Sequence, residues 1–229
     1  MFYVMSDLHG EYDRYLAMLE LISFDEEDTL YVLGDVVDRG PQPVRLLQDM
    51  AARPNVYLLR GNHEAMLSFL CTQLDDALCV PPDADPRLQE AFDAWCADGG
   101  DVTLAQLRSL PPEERNDLLD SIDDTPLYDV ADAGGRTYVL VHAGLGNFSP
   151  EKELDAYTYS ELCCSRPDHT RRYFPGEHVY IVSGHTPTLL INGRAEILSC
   201  SHNLLIDCGA VFGGRLACLC LDTLAAYYT

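Results

Sequence analysis

The sequence predicts an α/β fold in which two packed mixed β-sheets are flanked by helices, with a small helical insert. Three observations lead there. The first part of the chain alternates short apolar runs with amphipathic segments, a βαβαβ order that builds a parallel sheet. The second half is rich in short apolar runs, enough for a second sheet. Between them, residues of about 71–127 carry helical periodicity without linker composition, so 1–229 reads as a single domain with an insert or cap.

A chain of 229 residues can bury a sizeable core, and its apolar fraction of 47% is ordinary. The formal net charge is -22. Such a surface repels nucleic acid and anionic membranes, so neither is an expected partner. Nine cysteines, an odd number without a CxxC pair, suit reduced thiols rather than a disulfide framework. No signal peptide and no stretch of 18 apolar residues is visible, which makes the cytoplasm the expected location. The oligomeric state is not encoded in any pattern we recognise.

Residues 2–5 form the first predicted strand, ended by Ser6-Asp7-Leu8-His9-Gly10. On an extended backbone Asp7 and His9 point to the same side, which is half of a metal site. Taken alone, Asp7 is better explained as a cap for the helix of about 11–21, whose Tyr15, Leu16, Met18, Leu19 and Ile22 recur at helical spacing. Residues 30–33 read as a buried parallel strand running into Gly34-Asp35-Val36-Val37-Asp38-Arg39-Gly40. Two carboxylates and an arginine thus stand where that strand ends, and open α/β sheets bind ligands at the carboxyl ends of their strands. Turn chemistry with a surface ion pair at Arg39 would also account for this stretch alone. A proline-opened helix over 41–52 leads to a third strand at 55–59, which ends in Arg60-Gly61-Asn62-His63-Glu64 before a helix begins at Ala65.

Within the insert, 81–86 is a loop and helical periodicity covers 87–97 and 113–122, the latter opened by Pro111-Pro112. Trp95, the only tryptophan, stands near Asp98-Gly99-Gly100. Residues 137–141 and 179–183 are strands ending in His142-Ala143-Gly144 and Gly184-His185-Thr186, and mixed residues 151–164 lead to Ser165-Arg166. Asn192-Gly193 between the apolar runs 189–191 and 195–198 predicts a β-hairpin. Closing strands are expected at 204–209 and 216–221.

Five strand ends therefore carry polar side chains beside glycine: Asp7 and His9, Asp35 and Asp38, Asn62 and His63, His142, and His185. A lone histidine after a strand is ordinarily structural, but five such tips are hard to produce by chance. Oxygen and imidazole donors without thiolate suit Mn, Fe, Zn or Mg.

The blocks Asp7-Leu8-His9-Gly10, Gly34-Asp35-Val36-Val37-Asp38-Arg39-Gly40, Gly61-Asn62-His63-Glu64, His142-Ala143-Gly144 and Gly184-His185-Thr186 resemble the GDxHG, GDxxDRG, GNHE, HAG and GHT signatures of PPP-type metallophosphoesterases. They occur in the same order, with weaker similarity at Asp207-Cys208-Gly209-Ala210. Small size and the 95–100 stretch resemble the bacterial and lambda-phage type of Ser/Thr protein phosphatase. Ser6 departs from the first glycine of GDxHG, and Asp98 from the asparagine usual before the glycine pair.

This resemblance implies an α-β-β-α sandwich and a cofactor of two divalent ions, with Mn expected and Fe, Zn or Mg as alternatives. Asp7 and His9 would hold the first ion, Asn62, His142 and His185 the second, and Asp35 would bridge them. His63 would be the general acid, oriented by Asp38. Arg39 would clamp the phosphoryl oxygens together with Arg166. Cys164 stands where the family commonly has tryptophan two residues before the second clamp, so Arg171 and Arg172 are rivals to Arg166. The implied reaction is hydrolysis of phosphomonoesters by in-line attack of a hydroxide held on the ions. Its expected substrate is a phosphoprotein or phosphopeptide bearing phosphoserine or phosphothreonine. A symmetrical dinucleoside tetraphosphate hydrolase shares every metal-binding block and is the alternative, but it needs an adenosine pocket that the sequence does not reveal. A non-catalytic phosphate-binding scaffold is a third reading, disfavoured because a binding module needs no general acid.

Overall fold

The structure, a computed structural model, describes residues 1–229. The first half of the chain runs β1 (Phe2–Met5), α1 (Tyr12–Leu21), β2 (Thr29–Val32), α2 (Pro43–Ala51), β3 (Val56–Leu58) and α3 (Asn62–Cys71). The insert contributes α4 (Pro86–Trp95), α5 (Asp101–Ser109) and α6 (Pro112–Asp123). The remainder supplies β4 (Tyr128–Ala133), β5 (Arg136–Val141), α7 (Tyr159–Cys163), β6 (Val179–Ser183), α8 (Thr188–Asn192), β7 (Leu198–Cys200), β8 (Asn203–Leu205), β9 (Ala217–Cys220) and β10 (Ala226–Tyr228).

Two mixed sheets of five strands result, ordered β10-β9-β1-β2-β3 and β4-β5-β6-β8-β7. In the first, β1, β2 and β3 are parallel; in the second, β5, β6 and β8 are. Antiparallel strands lie outside each parallel centre. This is the sandwich the sequence predicted.

The period of two along each strand divides the core. Val4, Tyr138, Leu140, Val182, Leu204 and Leu219 meet between the sheets, and the Tyr138 hydroxyl donates to Leu221 O at 2.7 Å. Their neighbours Tyr3, Met5, Leu30 and Val32 face the other way, into a larger cluster with α1, α2 and α3. Trp95, Leu104, Leu107, Leu118 and Ile122 of the insert belong to that same cluster. On the outer side of the second sheet, Val139, Val141 and Ile181 pack against Leu162, Cys163 and Tyr173.

The predicted hairpin at Asn192-Gly193 is incorrect. Residues 188–192 form α8, and Gly193 ends it in the left-handed region at φ 75°. Asn-Gly suits a helix C-cap as well as a hairpin turn, and the sequence does not separate the two uses. The hairpin in this region joins β7 to β8 through Ser201 and His202, both at positive φ. Strands β4 and β10 and helix α5 are further elements that the sequence pattern does not announce. β4 is an edge strand with Asp129 and Asp132 in it and Val130 exposed, so it shows no apolar run.

Candidate active site

The parallel strands bring their carboxyl ends to one place. The loop after β1 is tied to the loop after β2 by Asp7 N–H to Gly34 O at 3.1 Å, His9 N–H to Asp35 O at 2.8 Å and Gly10 N–H to Val36 O at 2.7 Å. Asp7, His9, Asp35, Asp38, Arg39 and His185 all hold φ between 42° and 70°. Non-glycine residues rarely adopt this region, and such backbone collects at functional sites when the surroundings impose it.

One imposing group is Glu64, fully buried in the first turn of α3. Its carboxylate accepts from the backbone N–H of Asp35 (2.8 Å), Val36 (2.7 Å), Val37 (3.1 Å) and Gly61 (3.0 Å). One side chain thus fixes the loop after β2 against the loop after β3. The sequence alone suggests no role for Glu64; its position at N3 of a helix is the available signal.

The donor atoms gather in two groups that share Asp35. His9, Asp35 and His63 place one donor atom each within 4.8 Å of one another, and so do Asp35, His142 and His185. Asp35 Oδ2 lies 3.7 Å from His9 Nε2 and 3.4 Å from His142 Nε2. Asn62 Oδ1 is 3.0 Å from His142 Nε2, and His185 Nδ1 is 3.2 Å from the same nitrogen. Asp7 is buried beside them, accepting from Ser6 Oγ and from His185 N–H. The two compact groups include His63 and do not include Asp7.

Backbone carbonyls aim the imidazoles. His9 Nδ1 is 2.8 Å from Val37 O and His142 Nδ1 is 2.6 Å from Leu33 O, which turns each Nε2 toward Asp35. Burial lowers the pKa of His9 to about 4 despite Asp35, and burial with His142 nearby lowers that of His185 to about 4. Both are neutral and have a lone pair to offer. Burial opposes charge on His142, but Asp35 outweighs it and raises its pKa to about 10. Burial likewise opposes charge on Asp35, yet His142, His63 and His9 hold its carboxyl well below the usual range. Asp7, mainly through burial, is pushed up to about 7.

His63 also forms a dyad with Asp38, with Nδ1 to Oδ2 at 2.7 Å. The insert completes it: Trp95 Nε1 donates to Asp38 Oδ2 at 2.8 Å, and Thr103 Oγ1 donates to Asp38 Oδ1 at 2.7 Å. A Cβ on Gly100 would come within 2.2 Å of the Trp95 ring, so the glycine lets the indole lie flat against the chain. Burial lowers the pKa of His63, but the Asp38 hydrogen bond prevails and the net shift is upward. Sequence reasoning misses Trp95 and Thr103 in these roles, and also Asp98, which accepts from Arg39, because they come from 57 to 65 residues downstream of the groups they touch.

Arg39 lies at the edge of this site, with Nη1 2.6 Å from His9 Nε2 and Nη2 paired to Asp98. Arg166 is exposed and shares a cleft of about 770 Å³ with Asn62 and His185. Of its rivals, Arg171 lies over Phe148 and Tyr173, and Arg172 donates to Phe174 O, Pro175 O and Gly176 O.

Residues 1–195 match the family described as Calcineurin-like phosphoesterase. The chain belongs to this family. Proteins of similar sequence include the bis(5'-nucleosyl)-tetraphosphatase PrpE [asymmetrical] of Bacillus velezensis, 28% identical over 93% of this chain and 86% of the relative. The protein of the same name from Geobacillus thermodenitrificans is 26% identical over 94% and 88%. Among solved structures, a candidate diadenosine tetraphosphatase covers 100% of this chain and 92% of its own at TM-score 0.65 and 19% identity. A protein serine/threonine phosphatase from Saccharomyces cerevisiae covers 95% and 71% at TM-score 0.56 and 16% identity, which speaks to fold alone.

The calcineurin-like fold implies a dinuclear divalent metal site, and the clustered residues fit one. The donors are carboxylate, imidazole and amide, and His185 Nε2 is buried without any hydrogen-bond partner. The expectation of a phosphoprotein or phosphopeptide substrate is corrected by these relatives, whose names specify nucleosyl tetraphosphates. The motifs report the metal chemistry that both activities share.

Proposed function

We propose that the chain is a metal-dependent hydrolase of dinucleoside tetraphosphates, cutting asymmetrically into a nucleoside triphosphate and a nucleoside monophosphate. The observation that carries this reading is the cleft against Asn62 and His185. Its volume of about 770 Å³ lies within the roughly 300–1,000 Å³ of small-molecule sites. Met66, Phe69, Pro126, Leu127 and Tyr159 give it apolar and aromatic walls, and Phe69 and Tyr159 are 59% and 37% exposed. Bases stack on such rings regardless of sequence. Arg60, Asn62 and Arg166 add polar groups at its edges. The printed names of the relatives support the same substrate class and favour asymmetrical over symmetrical cleavage.

Asp7, His9, Asp35, Asn62, His142 and His185 would hold the ions, for which Mn is our choice. Two divalent ions there would activate water and offset the tetraphosphate's charge, which a chain of net charge -22 would otherwise repel. Arg39 and Arg166 would bind phosphoryl oxygens from the two sides. Water attack at a terminal phosphorus breaks its bond to the bridging oxygen, and that oxygen leaves with the triphosphate. His63 bonds Asp38 through Nδ1, so its second proton sits on Nε2, facing the site, where it can be given to the leaving oxygen. We take residues 1–229 as one catalytic domain whose insert supports the acid. The nine cysteines are all free, in keeping with a cytoplasmic setting.

The test is turnover of diadenosine tetraphosphate and a phosphoserine peptide by Mn-loaded protein, with products separated by chromatography. ATP and AMP in equal amounts are expected. Peptide dephosphorylation without cleavage of the dinucleotide would overturn the proposal, and ADP as sole product would overturn the asymmetry.

A further inference from the structure

We propose that Phe212 is a second nucleobase platform, reached through Arg39 from the donor group that the Tyr159 cleft does not border. This rests on the dinucleoside tetraphosphate reading, since such a substrate has two bases to place and the cleft accounts for one.

Phe212 presents 58% of its surface to water, on a turn that is otherwise tightly held. Arg14 Nη1 donates to Ala210 O at 3.0 Å and to Gly214 O at 3.1 Å, clamping both sides of the turn. Phe212 N–H donates to Gly209 O at 2.9 Å, and Gly214 N–H to the same oxygen at 2.8 Å. An exposed phenyl ring on a pinned backbone contributes little to folding. It loses little freedom when something stacks on it.

The ring is also tied to the chemistry. Arg39 Cζ lies over it at 5.3 Å, while Nη1 of the same guanidinium is 2.6 Å from His9 Nε2. The platform is therefore one side chain away from the donor group of His9, Asp35 and His63. The cleft with Tyr159 borders Asn62 and His185 instead, beside the other group. Each flank of the site thus pairs an arginine with exposed aromatic surface: Arg39 with Phe212, and Arg166 with Tyr159 and Phe69. A phosphate chain with a nucleoside at each end matches that arrangement, and a single phosphorylated residue does not. Arg39 on one face of the ring steadies it by cation–π attraction and leaves the rest of the ring open to a base.

The test compares wild type, Phe212→Ala and Phe212→Trp in hydrolysis of p-nitrophenyl phosphate, with diadenosine tetraphosphate added as competitor. The inhibition constant is read whether or not the dinucleotide is cleaved. In Phe212→Ala it should rise at least about fivefold more than KM for p-nitrophenyl phosphate does, given what stacking on one ring contributes. Phe212→Trp should restore it. An unchanged inhibition constant would overturn the platform. An equal rise in both constants would also overturn it, since Phe212 would then act only by holding Arg39. Failure of the wild type to cleave the dinucleotide would remove the proposed function while leaving the inhibition data to decide the platform.

Discussion

Asp98 holds one guanidinium nitrogen of Arg39 between its two carboxylate oxygens, at 3.1 and 3.0 Å. The same carboxylate stands 3.6 Å from His63 Nε2. It therefore faces both the guanidinium and the imidazole that an incoming phosphate would meet. Asp98 is half exposed, so water screens the pair and its strength is at most about 1 kcal/mol. Asp98→Asn keeps the shape and removes the competing charge. KM for the anionic substrate should fall about two- to fivefold, and less at high salt. An unchanged KM at low salt would mean that Asp98 does not compete for Arg39.

Glu64 offers a stability prediction. Glu64→Ala would leave the N–H groups of Asp35, Val36, Val37 and Gly61 without their acceptor in a buried place. Each such group costs about 1–3 kcal/mol, so a loss of at least about 3 kcal/mol in urea unfolding is expected after partial relaxation. Glu64→Gln should lose less, since its amide oxygen still accepts. A loss below about 1 kcal/mol for the alanine variant would show that other contacts hold the loop after β2.

Metal removal should abolish activity, and Mn²⁺ should restore it. Cations that bind only the folded chain also stabilise it by mass action. Chelated protein should therefore melt at a lower temperature, and added Mn²⁺ should reverse this. Full activity in protein shown to be metal-free by elemental analysis would remove the metal assignment.

Asp35 is common to both donor groups, whereas Asp7 falls outside each. Asp35→Asn should thus cost more metal occupancy than Asp7→Asn. Elemental analysis of both variants checks this, and an equal loss would end the bridging role of Asp35.

How much of the fold and site is legible in the sequence depends on distance along the chain. The repeated pattern of apolar run, glycine and polar tip marks Asp7, His9, Asp35, Asn62, His142 and His185 as one set, because parallel strands carry such tips to one edge. The sandwich follows from the same runs. Groups that act on the tips from elsewhere leave no local mark. Trp95 and Thr103 reach Asp38 across the fold, and their helices look like ordinary amphipathic packing. The walls of the cleft leave no local mark either. Met66, Phe69 and Tyr159 converge on one cleft from α3 and α7, and nothing in their spacing announces it.

The His63–Asp38 dyad makes a prediction that depends on the leaving group. A serine alkoxide leaves badly without a proton, whereas a triphosphate leaves almost as readily as p-nitrophenolate. His63→Asn should reduce hydrolysis of a simple alkyl phosphate within the roughly 10²–10⁴ range of general acid catalysis, and that of diadenosine tetraphosphate at least tenfold less. The pH dependence has a definite sign. Asp38 raises the pKa of His63, so the acid form persists to higher pH than for a free imidazole, and activity falls as pH rises through that raised value. Asp38→Asn removes the main raising contact, so the falling limb for alkyl phosphate should move to lower pH. Metal content should stay near wild type in Asp38→Asn, because Asp38 is not among the clustered donors. For His63→Asn it must be measured, since His63 lies in the same donor group as His9 and Asp35. Equal loss on both substrates with the metals retained would make His63 a phosphate-binding residue. Equal loss with a metal gone would make it a ligand.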